Sequence, residues 1–572
     1  MSLTRFSYWL RGDRPELGPD QRERLALETA RNRIFITGAM FIIGFCWITY
    51  GLVDASVLRQ GNEPAVASGT DTRELKTERA DIVDRNGMLL ATDLPTNSLY
   101  ADARVVKDPV ESADLLLTVL PDLDRDTLIR HLSSRKAFVW LRRNLTPEQQ
   151  YEVNSLGIPG LNFQREERRV YPHGRLLSHA LGFTDIDNNG IAGAEREFDN
   201  ELRINNGPLE LSLDTRVQYA LAEEVETAME TYSAVGAAGL VMDVYTGEVV
   251  AMTSLPNFDP HRPGQAPADA RFNRPTLGVY EMGSVFKLFN TAIALETGTS
   301  TLNSVYDATE PLAIGGFRIR DYHAENRWLT LPEILVHSSN IGSARMAMAF
   351  GGENQRKYLK KLGMLDKPQI ELPEVGGPLV PNPWREINTM TISFGHGLAV
   401  TPLQVVSGIS TIVNGGIRRP ATILKQDGAP AGERVFSQKT SELMRRLMRL
   451  VVTEGSGKKA EVAGYFLGGK TGTSEKLVNG RYVKNARMST FVAAFPMQDP
   501  KYVVLVTLDE PKGTKETYGF ATAGWVSAPA VGKVVTRIAP LLGIEPANAK
   551  APEIEQALQI ELRKGERKLA SF

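Results

Sequence analysis

A serine placed three residues ahead of a lysine, Ser284 and Lys287, opens an apolar run, and the two side chains together can do nucleophilic chemistry. The stretch reads Gly283-Ser284-Val285-Phe286-Lys287-Leu288-Phe289-Asn290-Thr291-Ala292-Ile293-Ala294-Leu295, apolar on all faces after the serine. A helix of that composition belongs in the middle of a domain. Ser284 suits the start of such a helix and Gly298 its stop. At the helix N-terminus the peptide dipoles favour developing negative charge. Lys287, one turn on, shares that face. Burial would strip its hydration, lower its pKa and expose a neutral amine able to take the serine proton. The bland alternative is a solvated surface lysine, which the flanking Val285, Phe286, Leu288 and Phe289 argue against. Ser-x-x-Lys alone is a weak signal.

Two further polar clusters strengthen it. Ser338-Ser339-Asn340 follows the apolar Ile334–Val336 and precedes Ile341-Gly342, so it falls between or at the ends of helical turns. Lys470-Thr471-Gly472-Thr473 follows the β-like Tyr465-Phe466-Leu467. Each cluster by itself reads as an ordinary polar turn. In the order SxxK, SxN, KTG they form the set used for acyl transfer through a serine ester. The segment Gly464–Thr471 also satisfies the phosphate-loop pattern GxxxxGK[ST]. That loop needs a flexible cradle leading into an apolar helix. Tyr465, Phe466 and Leu467 read as strand instead, and Gly472–Lys476 starts no apolar helix, so nucleotide binding is not expected.

The elements that must hold these residues read as an α+β domain from about 206 to 545. Leu209–Leu213 alternates like a strand and Val217–Met229 has helical periodicity. Ala238–Met242 and Glu248–Thr253 flank the turn Tyr245-Thr246-Gly247 and predict a hairpin. Residues 54–78 are polar and read as a linker or the foot of the next region. The span to about 205 mixes β-like runs (Asp81–Val83, Phe138–Leu141) with helical ones (Ser112–Leu120) and shows no catalytic cluster. A charged tail, 546–572, is expected to end in a short surface helix, Glu553–Leu569.

At 572 residues the chain exceeds one ordinary domain. Its 66 Lys and Arg against 67 Asp and Glu leave no basic surplus for nucleic acid. Seven histidines form no HExxH pair, and one cysteine allows no zinc ribbon, so neither metal nor cofactor is expected. That cysteine, Cys46, lies inside the uncharged run Ile34–Val53; a cysteine-free remainder fits either chance or an exported domain. Twenty residues at about 1.5 Å each span about 30 Å, a bilayer core. A cleaved signal peptide would have a shorter apolar core and a shorter leader. Arginines 5, 11, 14, 22, 24, 31 and 33 precede the run, whereas only Arg59 follows before Arg73. The asymmetry predicts a cytoplasmic tail (1–33), a transmembrane anchor (34–53) and everything else outside.

With these motifs in hand, the sequence resembles the class B penicillin-binding proteins over nearly all of the chain after the anchor. Arg79-Ala80-Asp81-Ile82-Val83-Asp84-Arg85-Asn86-Gly87 resembles the family's first N-terminal motif, with Ala80 where Gly is usual. Arg169–Gly174 with His179 and Gly182 resembles the second, and Gly190, Gly193, Glu195, Asp199 and Leu202 the third. Leu213-Asp214-Thr215 with Gln218 resembles the opening of the transpeptidase domain. Tyr280-Glu281-Met282-Gly283-Ser284 departs from a common Tyr-x-Pro-Gly-Ser, which is expected to alter the turn but not the nucleophile. Phe394–Gln404 and Tyr518–Trp525 look like the septal, FtsI-type branch; the elongation type is the alternative.

The resemblance implies an elongated mixed α/β pedestal (54–205) and a penicilloyl-serine transferase domain (206–545), an antiparallel sheet flanked by helices with a mostly helical subdomain. It implies a D,D-transpeptidase of the bacterial inner membrane, its catalytic domain periplasmic, that cross-links peptidoglycan stem peptides. Ser284 would be the nucleophile and Lys287 the general base. Ser338 and Lys470 would pass the proton to the leaving amine, and Asn340 would position Lys287 and the donor amide. Thr471 or Thr473 would bind the donor carboxylate, and Gly472 would be small so that substrate can lie along the strand edge. Backbone N–H groups of Ser284 and Thr473 would form the oxyanion hole. β-Lactams would acylate Ser284, and implied partners are an FtsW-type glycosyltransferase and other division proteins. The competing readings are a β-lactamase, which needs a deacylating carboxylate (Glu371, Glu374 and Glu386 lie in the right interval), and a non-catalytic envelope scaffold or penicillin sensor.

Overall fold

The computed structural model describes residues 19–53, 79–204, 207–478, 481–548 and 551–560. The first part of the N-terminal tail, the 54–78 linker and the end of the charged tail lie outside the described residues. The chain divides into two units, 1–76 and 77–572.

In the first unit Pro19–Val53 is a single 35-residue helix, which begins well ahead of the apolar run. Within it, Arg31–Thr49 is apolar enough and long enough, at 19 residues, to cross a membrane, and none of that stretch is buried in protein. Ile34, Phe35, Phe41 and Trp47 all stand exposed, as lipid-facing side chains would. This is a single-pass membrane anchor.

In the second unit, residues 79–204 are built on the long strand Leu89–Ala101, which pairs antiparallel with Val139–Leu145 on one side and Leu161–Val170 on the other. Helices Pro109–Val119, Arg125–Leu132 and Pro147–Ser155 accompany that sheet, burying Leu116, Leu128, Leu132 and Val153 with Leu99 and Leu145. The three N-terminal motifs meet in one buried ion network. Arg79 Nε donates to Glu195 at 2.7 Å and its Nη1 to Asp199 at 2.7 Å; Arg169 Nε donates to Glu195 at 2.7 Å and its Nη1 to Asp93 at 3.2 Å. Burying charge is tolerated only when each is matched this way, so residues far apart in sequence depend on one another here.

The catalytic part is organised by helices α1 (Thr215–Thr231), α2 (Phe286–Glu296), α3 (Asn340–Lys361), α4 (Pro402–Val413), α5 (Gln438–Glu454) and α6 (Ser527–Leu541). They surround strands β1 (Gly236–Asp243), β2 (Val249–Leu255), β3 (Gly468–Val478), β4 (Arg481–Phe495) and β5 (Tyr502–Asp509). The sheet runs β3-β4-β5-β1-β2 with every pair antiparallel. β1, β2, β5 and the Phe491–Phe495 end of β4 are apolar at most positions because both faces are covered. Val241, Phe491, Val504 and Val506 point to one side, where Leu221 of α1 and Val531 and Val535 of α6 meet them. Their neighbours Leu240, Val492, Val503 and Leu505 point to the other, toward Phe289 of α2, Ile409 of α4 and Met448 of α5. That is the two-residue alternation of a pleated strand, hidden in sequence because both halves are hydrophobic. The predicted hairpin is the β1–β2 pair. Leu209–Leu213, expected as one strand, is shorter: Leu209–Glu210 pairs in parallel with Ile82–Val83, tying the two regions together.

Candidate active site

Every position of α2 from Phe286 to Ala294 is buried, as its all-round apolarity requires. Ser284 does not start this α-helix directly. It sits in a 3-10 turn, Gly283–Val285, that feeds into it. Gly283 has φ +52°, and a Cβ there would stand 2.8 Å from Thr473 O, so this position needs glycine on both counts. Met282 takes φ −96°, away from the value proline would impose, and the turn still delivers Ser284 to the rim of α2.

Ser338-Ser339-Asn340 bridges the end of helix Leu331–Val336 and the start of α3. Ser338 has φ +58°, a left-handed conformation unusual for a residue with a Cβ. That conformation turns both its carbonyl and its hydroxyl toward Lys287. Lys287 Nζ lies 3.0 Å from Ser284 Oγ, 3.1 Å from Ser338 Oγ and 2.8 Å from Asn340 Oδ1, and also donates to Ser338 O. A neutral amine has two N–H donors and one lone pair. Ser338 O and Asn340 Oδ1 can only accept, so they take the two donors and leave the lone pair for a hydroxyl. Asn340 Nδ2 donates to Arg320 O at 3.0 Å, which fixes the amide with its oxygen toward the lysine.

Lys287 has no exposed surface, and burial pushes its pKa well below the ordinary lysine value; the nearby Lys470 pushes the same way and Asp321 opposes. Lys470 is equally buried, and desolvation lowers its pKa from 10.5 to about 7. Its Nζ donates to Ser338 Oγ at 3.0 Å. Ser284, Lys287, Ser338 and Lys470 therefore form a continuous chain of polar atoms with steps of 3.0, 3.1 and 3.0 Å.

Lys470 is carried by β3, the edge strand of the sheet. The β-like reading of Tyr465–Leu467 is corrected here: Ala463–Tyr465 is a turn, and the strand begins at Gly468, running through the KTG residues themselves. Gly468 and Gly469 pair with Ala494 and Ala493 in a regular ladder, so no phosphate loop forms. Gly472 is small for a reason besides substrate access: a Cβ there would meet Met282 O at 2.2 Å and Val285 Cγ2 at 2.9 Å. The nucleophile turn rests directly on this strand. Thr471 Oγ1 is 2.6 Å from Ser456 Oγ, and Thr473 Oγ1 accepts from Ala523 N at 3.2 Å. The structure thus brings together all eight residues that the sequence singled out.

Three residues were missed. Ser456 buttresses Thr471 from the loop after α5. Glu281 ties the nucleophile turn to its surroundings, its Oε1 accepting from Gly397 N at 2.8 Å and from the Tyr482 hydroxyl at 2.9 Å. Asp321 accepts from Ser339 Oγ at 2.6 Å and Ile341 N at 2.9 Å. Each is an isolated polar residue whose partner is remote in sequence, so no local pattern marks it. Of the carboxylates considered for deacylation, Glu371 accepts from Thr422 Oγ1 and Ile423 N, and Glu374 from Gly193 N. Glu386 opens a short helix, Glu386–Ile392.

A serine hydroxyl in a chain of contacts with two desolvated amines, on a helix-flanked antiparallel sheet, is an arrangement suited to serine acyl transfer. Residues 237–532 match the penicillin binding protein transpeptidase domain and residues 74–228 the penicillin-binding protein dimerisation domain. The chain is 41% identical over 537 residues to a probable peptidoglycan D,D-transpeptidase FtsI of Caulobacter vibrioides, covering 91% of this chain and 90% of that protein. It is 33% identical to a probable peptidoglycan D,D-transpeptidase PenA of Neisseria gonorrhoeae, covering 93% and 97%. Against the peptidoglycan D,D-transpeptidase FtsI of Escherichia coli K12 the identity is 31%, covering 83% and 85%. A peptidoglycan synthetase structure from Bifidobacterium adolescentis shares the fold with a TM-score of 0.66 at 21% identity, covering 84% of this chain and 98% of that one. The chain belongs to the class B penicillin-binding proteins.

Proposed function

We propose that this protein is a peptidoglycan D,D-transpeptidase that forms an acyl-enzyme on Ser284 and acts in septal wall synthesis. The observation that carries the reading is the Ser284–Lys287–Ser338–Lys470 chain, with the two amine donors of Lys287 already committed and its lone pair free for a hydroxyl. Ser284 Oγ attacks the carbonyl of the penultimate D-Ala of a stem peptide while its proton passes to Lys287. Backbone N–H groups of Ser284 and Thr473 hold the oxyanion, each such donor typically contributing roughly 3 kcal/mol. As the C–N bond breaks, the proton travels through Ser338 and Lys470 to the departing D-Ala amine. The amine of a second stem peptide then attacks the ester, loses a proton to the same chain, and releases the cross-link with Ser284 restored. Thr471 or Thr473 holds the donor carboxylate, with Lys470 beside it. β-Lactams enter the first half of this path as substrate mimics.

The division of labour we assign is a pedestal over 54–205, a transpeptidase domain over 206–545, and short tails outside them. Arginines ahead of the anchor favour a cytoplasmic N-terminus and a periplasmic catalytic domain. The FtsI names of the relatives favour division over elongation, and with it an FtsW-type glycosyltransferase as partner. The test is labelling with a fluorescent penicillin. A long-lived adduct that disappears in Ser284→Ala, together with midcell localisation of a fluorescent fusion, is expected. Rapid turnover of the penicillin would instead make the protein a β-lactamase, and labelling retained in Ser284→Ala would remove the nucleophile assignment.

A further inference from the structure

Ser338 is held in a left-handed backbone conformation that a serine does not choose for itself. Something must over-determine it, because the same conformation aims its carbonyl and hydroxyl at Lys287. The restraints come from an arm of chain that precedes the turn in sequence. Residues 312–319 form a small hairpin, Leu312–Ile314 against Phe317–Ile319, and the chain leaving it passes under Ser338-Ser339-Asn340. Arg320 O accepts from Asn340 Nδ2. Asp321 uses both carboxylate oxygens: Oδ2 accepts from Ser339 Oγ at 2.6 Å and Oδ1 from Ile341 N at 2.9 Å. Ser339 Oγ in turn accepts from Gly342 N at 2.9 Å, capping α3. Ser339 and Ile341 bracket Asn340, and Ser339 adjoins Ser338, so this one carboxylate pins the turn on both sides of Asn340 and directly after Ser338.

We infer that Asp321 is a positioning residue for acylation: its carboxylate fixes the turn whose Ser338 O, Ser338 Oγ and Asn340 Oδ1 aim Lys287 at Ser284. The inference rests on the reading of Lys287 as general base. A negative charge at the N-terminus of α3 is also favoured by the helix dipole, so the same contact stabilises the turn that it orients. The charged groups that act on Lys287 are Lys470 from β3, which lowers its pKa, and Asp321, which raises it. Asp321 thus moderates a base that burial and Lys470 would otherwise depress further.

The experiment measures penicillin acylation rates across pH for the full-length protein in detergent, alongside thermal unfolding. Asp321→Asn keeps the size of the side chain, but its amide can no longer accept from both donors. Its plateau rate is expected to fall roughly ten- to a hundredfold, in line with the loss of charge-assisted hydrogen bonds. With the negative charge gone, the acid limb of the profile moves to lower pH. Asp321→Glu keeps the charge and displaces it; its plateau falls while its acid limb stays in place, which carries the test should Asp321→Asn lose its cooperative melt. An unchanged plateau in either variant would overturn the inference, as would an Asp321→Asn acid limb that does not move, since a merely structural residue lowers the rate without altering the base. Wild-type protein that failed to label would bring down the functional reading itself.

Discussion

Replacing Lys470 by methionine should stabilise the protein at neutral and acidic pH while disabling it. Lys470 has no exposed surface, and desolvation brings its pKa from 10.5 to about 7. Its folded value lies below its unfolded one, so the folded protein binds fewer protons between those limits and stability rises with pH across the window. Below about 7 the amine is charged in both states, and the full cost of burying it is present. Each pH unit of the window is worth about 1.4 kcal/mol, which makes the cost below it about 5 kcal/mol. Methionine removes that cost and keeps the stem. It forfeits the bond to Ser338 Oγ, about 1 kcal/mol, and packs imperfectly, about another 1 kcal/mol. A net gain of about 3 kcal/mol is expected at pH 6; it falls to zero at about pH 9 and becomes a loss approaching about 2 kcal/mol above about pH 10.5. Urea unfolding of wild type and Lys470→Met across that pH range reads the difference directly. Acylation should fall by roughly a hundredfold or more, as when an acid–base group is lost. Without the neighbouring positive charge the pKa of Lys287 rises, so the residual activity shifts to higher pH. Stability curves that run parallel, or a methionine variant less stable at every pH, would refute the claim that this amine is desolvated.

Gly472→Ala pushes a methyl group onto the Met282 carbonyl beneath the nucleophile turn; it should cost about 1–3 kcal/mol of stability and slow acylation, whereas Gly377→Ala, with nothing within 4 Å of the added atom, should do neither. Glu195→Ala leaves Arg79 and Arg169 buried without their shared partner; a loss of about 3–5 kcal/mol is expected, seen as proteolytic sensitivity of the N-terminal region, while penicillin labelling of Ser284 persists in the molecules that stay folded.

Much of the catalytic centre was legible because its signals are local. The run from Val285 to Leu295 is apolar on all sides, which only a central helix tolerates, and that alone argued for a buried Lys287. The KTG strand was harder. Gly468-Gly469-Lys470-Thr471-Gly472 has poor intrinsic strand preference, and it is a strand because β4 supplies a ladder for it; the bulky Tyr465-Phe466 just before it turns instead to fill the core. Asp321 could not be found by pattern at all. It stands alone between Arg320 and Tyr322, and its importance lies wholly in the turn that the fold lays over it. The N-terminal motifs were visible only through their resemblance to a family pattern; their cause, one shared network around Glu195, required the three segments to be brought together in space.

The strand that carries Lys470 is the last in its sheet, with β4 on one side and, among the described residues, no neighbouring strand on the other. Half of its backbone is therefore a ladder waiting for a guest. An extended peptide laid there gains a few hydrogen bonds, each contributing only about 0.5–1.5 kcal/mol net. Such a grip is light and largely blind to side-chain identity. It suits an enzyme that must let go of a polymer after every turnover, since a tighter hold would leave it stranded on its own product. The same lightness means that a visitor stays only if it becomes covalently attached, and residence on this protein is then governed by the lifetime of an ester rather than by affinity.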